Sequence, residues 1–185
     1  KLEKYEELFV KASDQWSEMF PEEKEPPSVD YVSAEVYKSH NIFARCIPRY
    51  ENIMTNHPKH PYASYSGMSL LEANYRLKRW GDVEKWARYL IKVKNFEGVS
   101  KNGLRNTVAY ALNERAIELQ NAKKFDEAAD QLLKLADEFN DNKELAPCAI
   151  FNAAAIYENG EQIRKAGDTY EKMIKRYPTS DRAPE

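Results

Sequence analysis

One pattern recurs along this chain at an interval of 38 residues, and that period constrains the fold more than any other feature. Phe125-Asp126-Glu127-Ala128 returns as Ile163-Arg164-Lys165-Ala166, and Asp137-Glu138-Phe139 returns as Lys175-Arg176-Tyr177, both 38 residues later. Leu145-Ala146-Pro147 and Arg182-Ala183-Pro184 stand 37 apart. Upstream, Gly81-Asp82-Val83-Glu84-Lys85-Trp86 lines up with Lys124-Phe125-Asp126-Glu127-Ala128. Tyr50-Glu51-Asn52-Ile53-Met54 followed by Pro58 echoes Tyr170-Glu171-Lys172-Met173-Ile174 followed by Pro178. A unit of this length is one supersecondary piece whose apolar face is covered only when neighbours stack on it.

Each unit holds two stretches of helix period. Leu112, Ala116 and Leu119 share a stripe, as do Ile150, Ala154 and Tyr157. In the second stretch Phe125, Ala128, Leu132, Leu135 and Phe139 share a face, and so do Ile163, Ala166, Tyr170, Ile174 and Tyr177. Spacings of three and four define helices, and almost nothing alternates at the strand period, so the chain reads as nearly all helix. Ala116, Ala128, Ala154 and Ala166 let helices approach closely, while the aromatics fill space between successive pairs. Pro147 and Pro184 suit first helical turns, and Pro58 and Pro178 close helices. Asn159-Gly160 and Trp80-Gly81-Asp82 read as tight turns inside pairs. Pro48 falls inside an expected helix, which should therefore kink or start late. Trp16, Trp80 and Trp86 matter for stability, and Trp86 is expected to fill space between helices.

The 42% apolar share supports a folded core, and 28 basic against 30 acidic residues leave a formal charge of -2. That balance argues against a nucleic-acid partner, which calls for a basic surplus on one face. No run approaches the ~20 apolar residues needed to cross a bilayer, so direct membrane insertion is not expected. Cys46 and Cys148 have no CxxC partner and read as two buried free thiols.

Gly98-Val99-Ser100-Lys101-Asn102-Gly103 has the glycines of a phosphate loop but continues Leu104-Arg105, without the phosphate lysine or the magnesium hydroxyl. His57 and His60 lie in a proline-flanked turn without accompanying carboxylates or thiols, and His40 is isolated in sequence. Acidic pairs such as Glu22 and Glu23 or Asp126 and Glu127 fall at loops and helix starts, where they complement the helix dipole. The reading is no enzyme, no cofactor and no metal.

The repeating residues resemble the tetratricopeptide repeat, with small–x–x–aromatic in the first helix, then alanine, aromatic and proline in the second. Ala153-Ala154, Tyr157, Ala166, Tyr170 and Pro178 fall at the family's spacing. The preceding unit matches with Ala116, Leu119, Ala128 and Leu132 but has Asn140 in place of proline, and the unit before it has Trp86 where alanine is expected. The resemblance implies an all-α fold, a right-handed superhelix (solenoid) of antiparallel helix pairs. Its expected parts are an N-terminal helix and acidic, proline-containing linker at 1–26, a degenerate pair at 27–61 and a divergent repeat at 62–103. Repeats follow at 104–146 and 147–183, and 184–185 reads as the start of a further repeat, as in a fragment of a longer array. The segment from Asn95 to Gly103 reads as a longer connection.

Stacked pairs curve, and first helices line the concave side. Partner-binding candidates there are Tyr75, Lys78 and Arg79, with Leu71; then Tyr110, Asn113, Ile117 and Asn121; then Phe151 and Glu158, with Ala155. Tyrosine and arginine often carry interface energy. The expected function is a non-catalytic scaffold or adaptor that binds a partner peptide or helix, with repeat stacking or self-association as the alternative. The run Tyr170 to Pro178 is similar to repeats of bacterial cell-envelope proteins of the Tol-associated coordinator and outer-membrane assembly lipoprotein type, which points to the periplasm or cell envelope over the cytoplasm.

Overall fold

The computed structural model describes residues 2–20, 26–94, 96 and 98–181. Most of the expected acidic linker (21–25) and the expected start of a further repeat (184–185) lie outside the described residues. Among those described are nine helices and no strand: α1 Lys4–Met19, α2 Pro27–Ser39, α3 Phe43–Asn56, α4 Tyr62–Arg76, α5 Trp80–Lys92, α6 Lys101–Asn121, α7 Phe125–Glu138, α8 Leu145–Asn159 and α9 Ile163–Arg176. The chain forms two compact units, residues 1–104 and 105–185, with the boundary in the first turn of α6.

The turn inside each pair carries the repeat more faithfully than any apolar position. Asn41, Lys78, Lys123 and Glu161 have φ of 59°, 55°, 60° and 58°, and each stands between the first and second helix of a pair. The following residue donates its N–H to the carbonyl five residues back in all four: Ile42 to Tyr37 (2.8 Å), Arg79 to Asn74 (2.9 Å), Lys124 to Leu119 (2.9 Å) and Gln162 to Tyr157 (2.9 Å). This is a left-handed helix cap that satisfies otherwise orphaned carbonyls and reverses the chain within three residues. Three of the four positions lack the glycine or asparagine that usually takes this conformation. Left-handed strain of about 1–2 kcal/mol exceeds the ~0.4–1 kcal/mol of backbone entropy that glycine adds to the unfolded chain. Lys123→Gly and Glu161→Gly are each expected to raise the melting temperature, by up to about 1 kcal/mol of stability.

Glycine does a different job nearby. Gly160 has φ −87°, so it is not the left-handed residue, but a Cβ on it would lie 2.6 Å from Phe125 Cγ. Its role is close approach of the α8 end to α7. The expected turn at Trp80-Gly81-Asp82 is the first turn of α5, and the true turn lies at Lys78.

Aligning the four pairs on these turn residues places the core in one register. Seven residues before the turn stand Ala34, Leu71, Ala116 and Ala154; five after it stand Cys46, Val83, Ala128 and Ala166; twelve after it stand Ile53, Leu90, Leu135 and Met173. All twelve are buried. Trp86 therefore does not replace the repeat alanine; Val83 does, and Trp86 sits eight residues after the turn. α3 starts at Phe43, at the same point after its turn as the other second helices, and runs through Pro48 without a late start.

Polar contacts between successive pairs repeat at nearly the same interval. In the first unit Ser69 Oγ donates to Glu35 Oε1 (2.8 Å, 34 residues apart), Trp86 Nε1 to Glu51 Oε1 (3.1 Å, 35 apart) and Tyr89 Oη to the Met54 carbonyl (3.1 Å, 35 apart). In the second, Asn152 Nδ2 donates to Asn113 Oδ1 (3.0 Å) and Lys165 Nζ to Asp126 Oδ1 (2.6 Å), both 39 apart. First helices thus meet first helices, and second helices meet second helices, within each unit.

Candidate partner-binding faces on the first helices

The turn register also defines which side of each first helix is open. In the first unit the positions thirteen, ten, six and three residues before the turn bring Tyr31, Glu35 and Lys38 on α2 beside Tyr65, Met68, Glu72 and Tyr75 on α4. One end of this face is aromatic. Tyr31 stacks on Tyr62 with ring centroids 4.5 Å apart and planes 5° from parallel, and Tyr65, 61% exposed, closes the group at 6.5 Å.

The other end is a charged network. Glu35 accepts the Tyr50 hydroxyl (2.6 Å) and the Ser69 hydroxyl (2.8 Å). Lys38 Nζ reaches Ser69 Oγ (2.8 Å), Glu35 (3.2 Å) and Glu72 (3.7 Å). Burial raises the Glu35 carboxyl, but the Tyr50 and Ser69 hydrogen bonds and the Lys38 charge outweigh it and leave the group below its usual value. A carboxyl lowered on folding stabilises the protein above its unfolded value of about 4.3, and that contribution is lost as pH falls through the folded value. Glu35→Gln is therefore expected to flatten the acid limb of a stability-against-pH curve below about pH 5, while leaving its shape at neutral pH unchanged.

In the second unit the same positions place Tyr110, Asn113 and Ile117 on α6 beside Cys148, Phe151, Ala155 and Glu158 on α8. Tyr110 and Ile117 are 43% and 41% exposed. Between them the Asn113–Asn152 side-chain bond uses one amide's carbonyl and the other's N–H, so the pair keeps a donor and an acceptor for a further partner.

Of the residues expected from sequence, Leu71 is buried in the core and Tyr75 is exposed at the end of α4 with its ring edge-on to Trp80 (5.4 Å, 79°). Lys78 is the left-handed turn residue and Arg79 follows it, so both lie in the α4–α5 turn and not on the helix face. Tyr110, Asn113, Ile117 and Asn121 all lie on α6, and Phe151, Ala155 and Glu158 on α8. Phe151 packs on Tyr170 of α9 (5.6 Å), and Glu158 accepts the Tyr170 hydroxyl (3.3 Å). Tyr31, Glu35, Lys38, Tyr65 and Asn152 were missed, and the signal that finds them is the turn register: Tyr65 and Tyr110 are both thirteen residues before a turn.

The other sequence candidates resolve locally. Cys46 is buried and Cys148 half-buried, both free, and burial pushes the Cys46 thiol up to about 11. His57 caps α3, His60 Nδ1 accepts the Tyr62 N–H (3.2 Å), and His40 Nε2 contacts Glu6 Oε2 (2.8 Å). Gly98 has φ 134° and Gly103 lies in the first turn of α6, its N–H held by Ser100 Oγ (3.1 Å). Among the described residues no helix is long and apolar enough to cross a membrane, and no three metal-ligating side chains gather.

No curated protein matches the chain by sequence. In a comparison of folds, nearly identical TPR-like repeats of a Podosopora anserina protein named for kinesin light chain align with 94% of this chain and 87% of their own, at 14% identity and a TM-score of 0.41. YrrB, described as a TPR protein with an unusual peptide-binding site, aligns over 91% of this chain and 95% of its own, at 17% identity and a TM-score of 0.36. Residues 149–180, within the helix pair α8 and α9, match the family model of the tetratricopeptide repeat.

Proposed function

We propose that this chain is a non-catalytic scaffold whose first-helix faces hold an extended or helical segment of a partner protein. The carrying observation is the exposure of Tyr65 and Tyr110 at one register position in two different pairs, each with polar groups of its own unit on the same helix faces, Glu35 and Lys38 in the first and Asn113 and Asn152 in the second. Tyrosine joins an apolar ring to a hydrogen-bonding hydroxyl and is enriched where interface energy concentrates. Tetratricopeptide repeats generally serve as protein-interaction scaffolds, which supports the same reading. The near-neutral charge supports a protein partner over nucleic acid.

Affinity capture from the producing cells tests this. A Tyr65→Ala, Tyr110→Ala variant, folded by circular dichroism, is expected to lose a partner that the unaltered chain and a Lys172→Ala control both retain. The same partners on all three would overturn the assignment. The similarity of Tyr170 to Pro178 to cell-envelope repeats supports placing the assembly in a bacterial envelope, which cell fractionation tests. The stacking alternative draws on Ile163 and Ile174, exposed on α9, and predicts scattering mass that grows with concentration.

A further inference from the structure

The outer face of α5 carries three cations on one ridge. Lys85, Arg88 and Lys92 stand seven, ten and fourteen residues after the Lys78 turn. Spacings of three and four align them along about 10 Å of helix. The same three positions hold Pro48, Glu51 and Thr55 on α3 and Asp130, Leu133 and Asp137 on α7. On α9 one of the three, Lys175, is a cation. The basic ridge is a property of α5 and not of the repeat.

This ridge is one wall of a groove of about 560 Å³ between α3 and α5, whose other wall is Pro48, Glu51, Asn52 and Thr55. Trp86 and Tyr89 floor it, reaching across from α5 to Glu51 (3.1 Å) and to the Met54 carbonyl (3.1 Å). The α3 wall leaves most of the α5 charge unanswered. Asn52 donates to Asp30, and Thr55 Oγ1 donates to the Glu51 carbonyl (2.7 Å). Glu51 is the one carboxylate among the described lining residues, and one of its oxygens accepts from Trp86. On α5 itself, Glu84 holds Arg88 Nε (2.9 Å). Lys85 Nζ lies over the Trp86 ring at 4.8 Å, and both Lys85 and Lys92 are exposed without a carboxylate partner among the described residues.

The second unit shows how such charge is balanced from within. There Lys165 and Arg176 on α9 meet Asp126 (2.6 Å) and Asp137 (2.5 Å) on α7. Between α3 and α5 the bonds across the crossing come from Trp86 and Tyr89 instead, and the lysines are left to solvent.

We propose that this groove binds an acidic segment of a partner protein, a short extended run with at least two Asp or Glu side chains placed to meet Lys85 and Lys92. Charge complementarity carries the assignment. Two lysines spread over two turns suit a row of carboxylates better than one phosphate, which calls for converging donors, and Arg88 is already engaged by Glu84. The carboxylates of Glu51 and Glu84 and the overall charge of -2 disfavour the backbone of a nucleic acid. Both walls are interior helices of the first unit. Arg49, bonded to Asp14 of α1, and Glu51, bonded to Trp86 of α5, are two residues apart and so point to opposite sides of α3. A helix pair added ahead of α1 would therefore extend the stack away from the groove. The site is on the second-helix side and does not depend on the first-helix faces proposed above.

Rhodamine-labelled hexaglutamate titrated with the full chain at low salt, read by fluorescence anisotropy, tests this. Saturable binding is expected, lost as salt rises and weakened at least about tenfold by Lys85→Glu with Lys92→Glu. Lys172→Glu with Lys175→Glu, exposed on α9, changes the net charge equally and is expected to leave binding unaltered. Circular dichroism checks that each variant is folded. Lys85→Gln with Lys92→Gln, a milder change at the same exposed sites, is expected to give a smaller loss and carries the test if the charge reversal unfolds the chain. No saturable binding, or an equal loss in the α9 control, would overturn the proposal. Tighter binding of inorganic phosphate or oligothymidylate through the same two lysines would do so too, since the ligand would then be a phosphate. So would a gain in hexaglutamate affinity on Glu22→Gln, Glu23→Gln and Glu25→Gln together, since the occupant would then be the chain's own acidic run.

Discussion

Replacing Arg49 with alanine is expected to destabilise the chain by about 3–5 kcal/mol, read as the shift of a urea denaturation curve. Arg49 Nη1 donates to Asp30 Oδ1 (2.9 Å), and Nη2 donates to Asp14. Asn52 donates to the other Asp30 oxygen, and the Tyr37 hydroxyl donates to Asp14 Oδ2 (2.7 Å). Burial, and then the Asp14 acceptor, push the Tyr37 phenol up to about 12, so it stays a donor across the ordinary pH range. The cluster ties α1, α2 and α3 together, and the Asp30 side chain is 6% exposed. Removing the guanidinium leaves Asp30 buried with its charge uncompensated, which explains the size of the effect. Replacing the whole cluster as Asp14→Asn, Asp30→Asn and Arg49→Met should cost much less, because no unpaired charge remains. A loss below about 1 kcal/mol for Arg49→Ala would mean that water already solvates the cluster.

Trp86→Ala is expected to cost about 3–5 kcal/mol, chiefly from the cavity left between α3 and α5. The indole is 4% exposed, its Nε1 donates to Glu51, and its ring meets Tyr89 edge-on at 5.5 Å. Trp86→Phe separates packing from hydrogen bonding: it keeps most of the ring volume and loses the indole donor, for about 1–2 kcal/mol. An unchanged melting temperature for Trp86→Ala would place the residue outside the core and contradict the turn register.

The period, the all-helical character and the small residues at close crossings were legible because each rests on apolar spacing. Ala128 and Ala166 needed no structure to be matched. The turns were not legible in the same way. Sequence rules weight glycine at a left-handed cap, and here Lys78, Lys123 and Glu161 take it while Gly160 serves a close approach to Phe125.

That substitution displaced the register of one unit. The first-to-second-helix turns are 37 residues apart from Asn41 to Lys78 and 38 from Lys123 to Glu161, but 45 from Lys78 to Lys123, where α6 runs for 21 residues. Matching Trp86 to Ala128 left out three residues of that extra length and moved the α4 face by the same three, onto Leu71 and away from Met68. Tyr65 was lost with it, and no face was assigned to α2, where Tyr31 stands. Tyr110, Asn113 and Ile117 on α6 and Phe151, Ala155 and Glu158 on α8 fall at register positions because their turns are 38 residues apart, while Asn121 falls one residue off, where Gln120 stands.

Site-specific photo-crosslinking tests the central claim most directly. A benzophenone side chain is placed at Tyr65 and Tyr110 on the first-helix faces and at Lys172 on α9, and each protein is irradiated in the cells that produce it. Adducts with a common partner from Tyr65 and Tyr110, but not from Lys172, are the predicted result. Partner adducts from Lys172 alone would contradict the account and move recognition to the second helices.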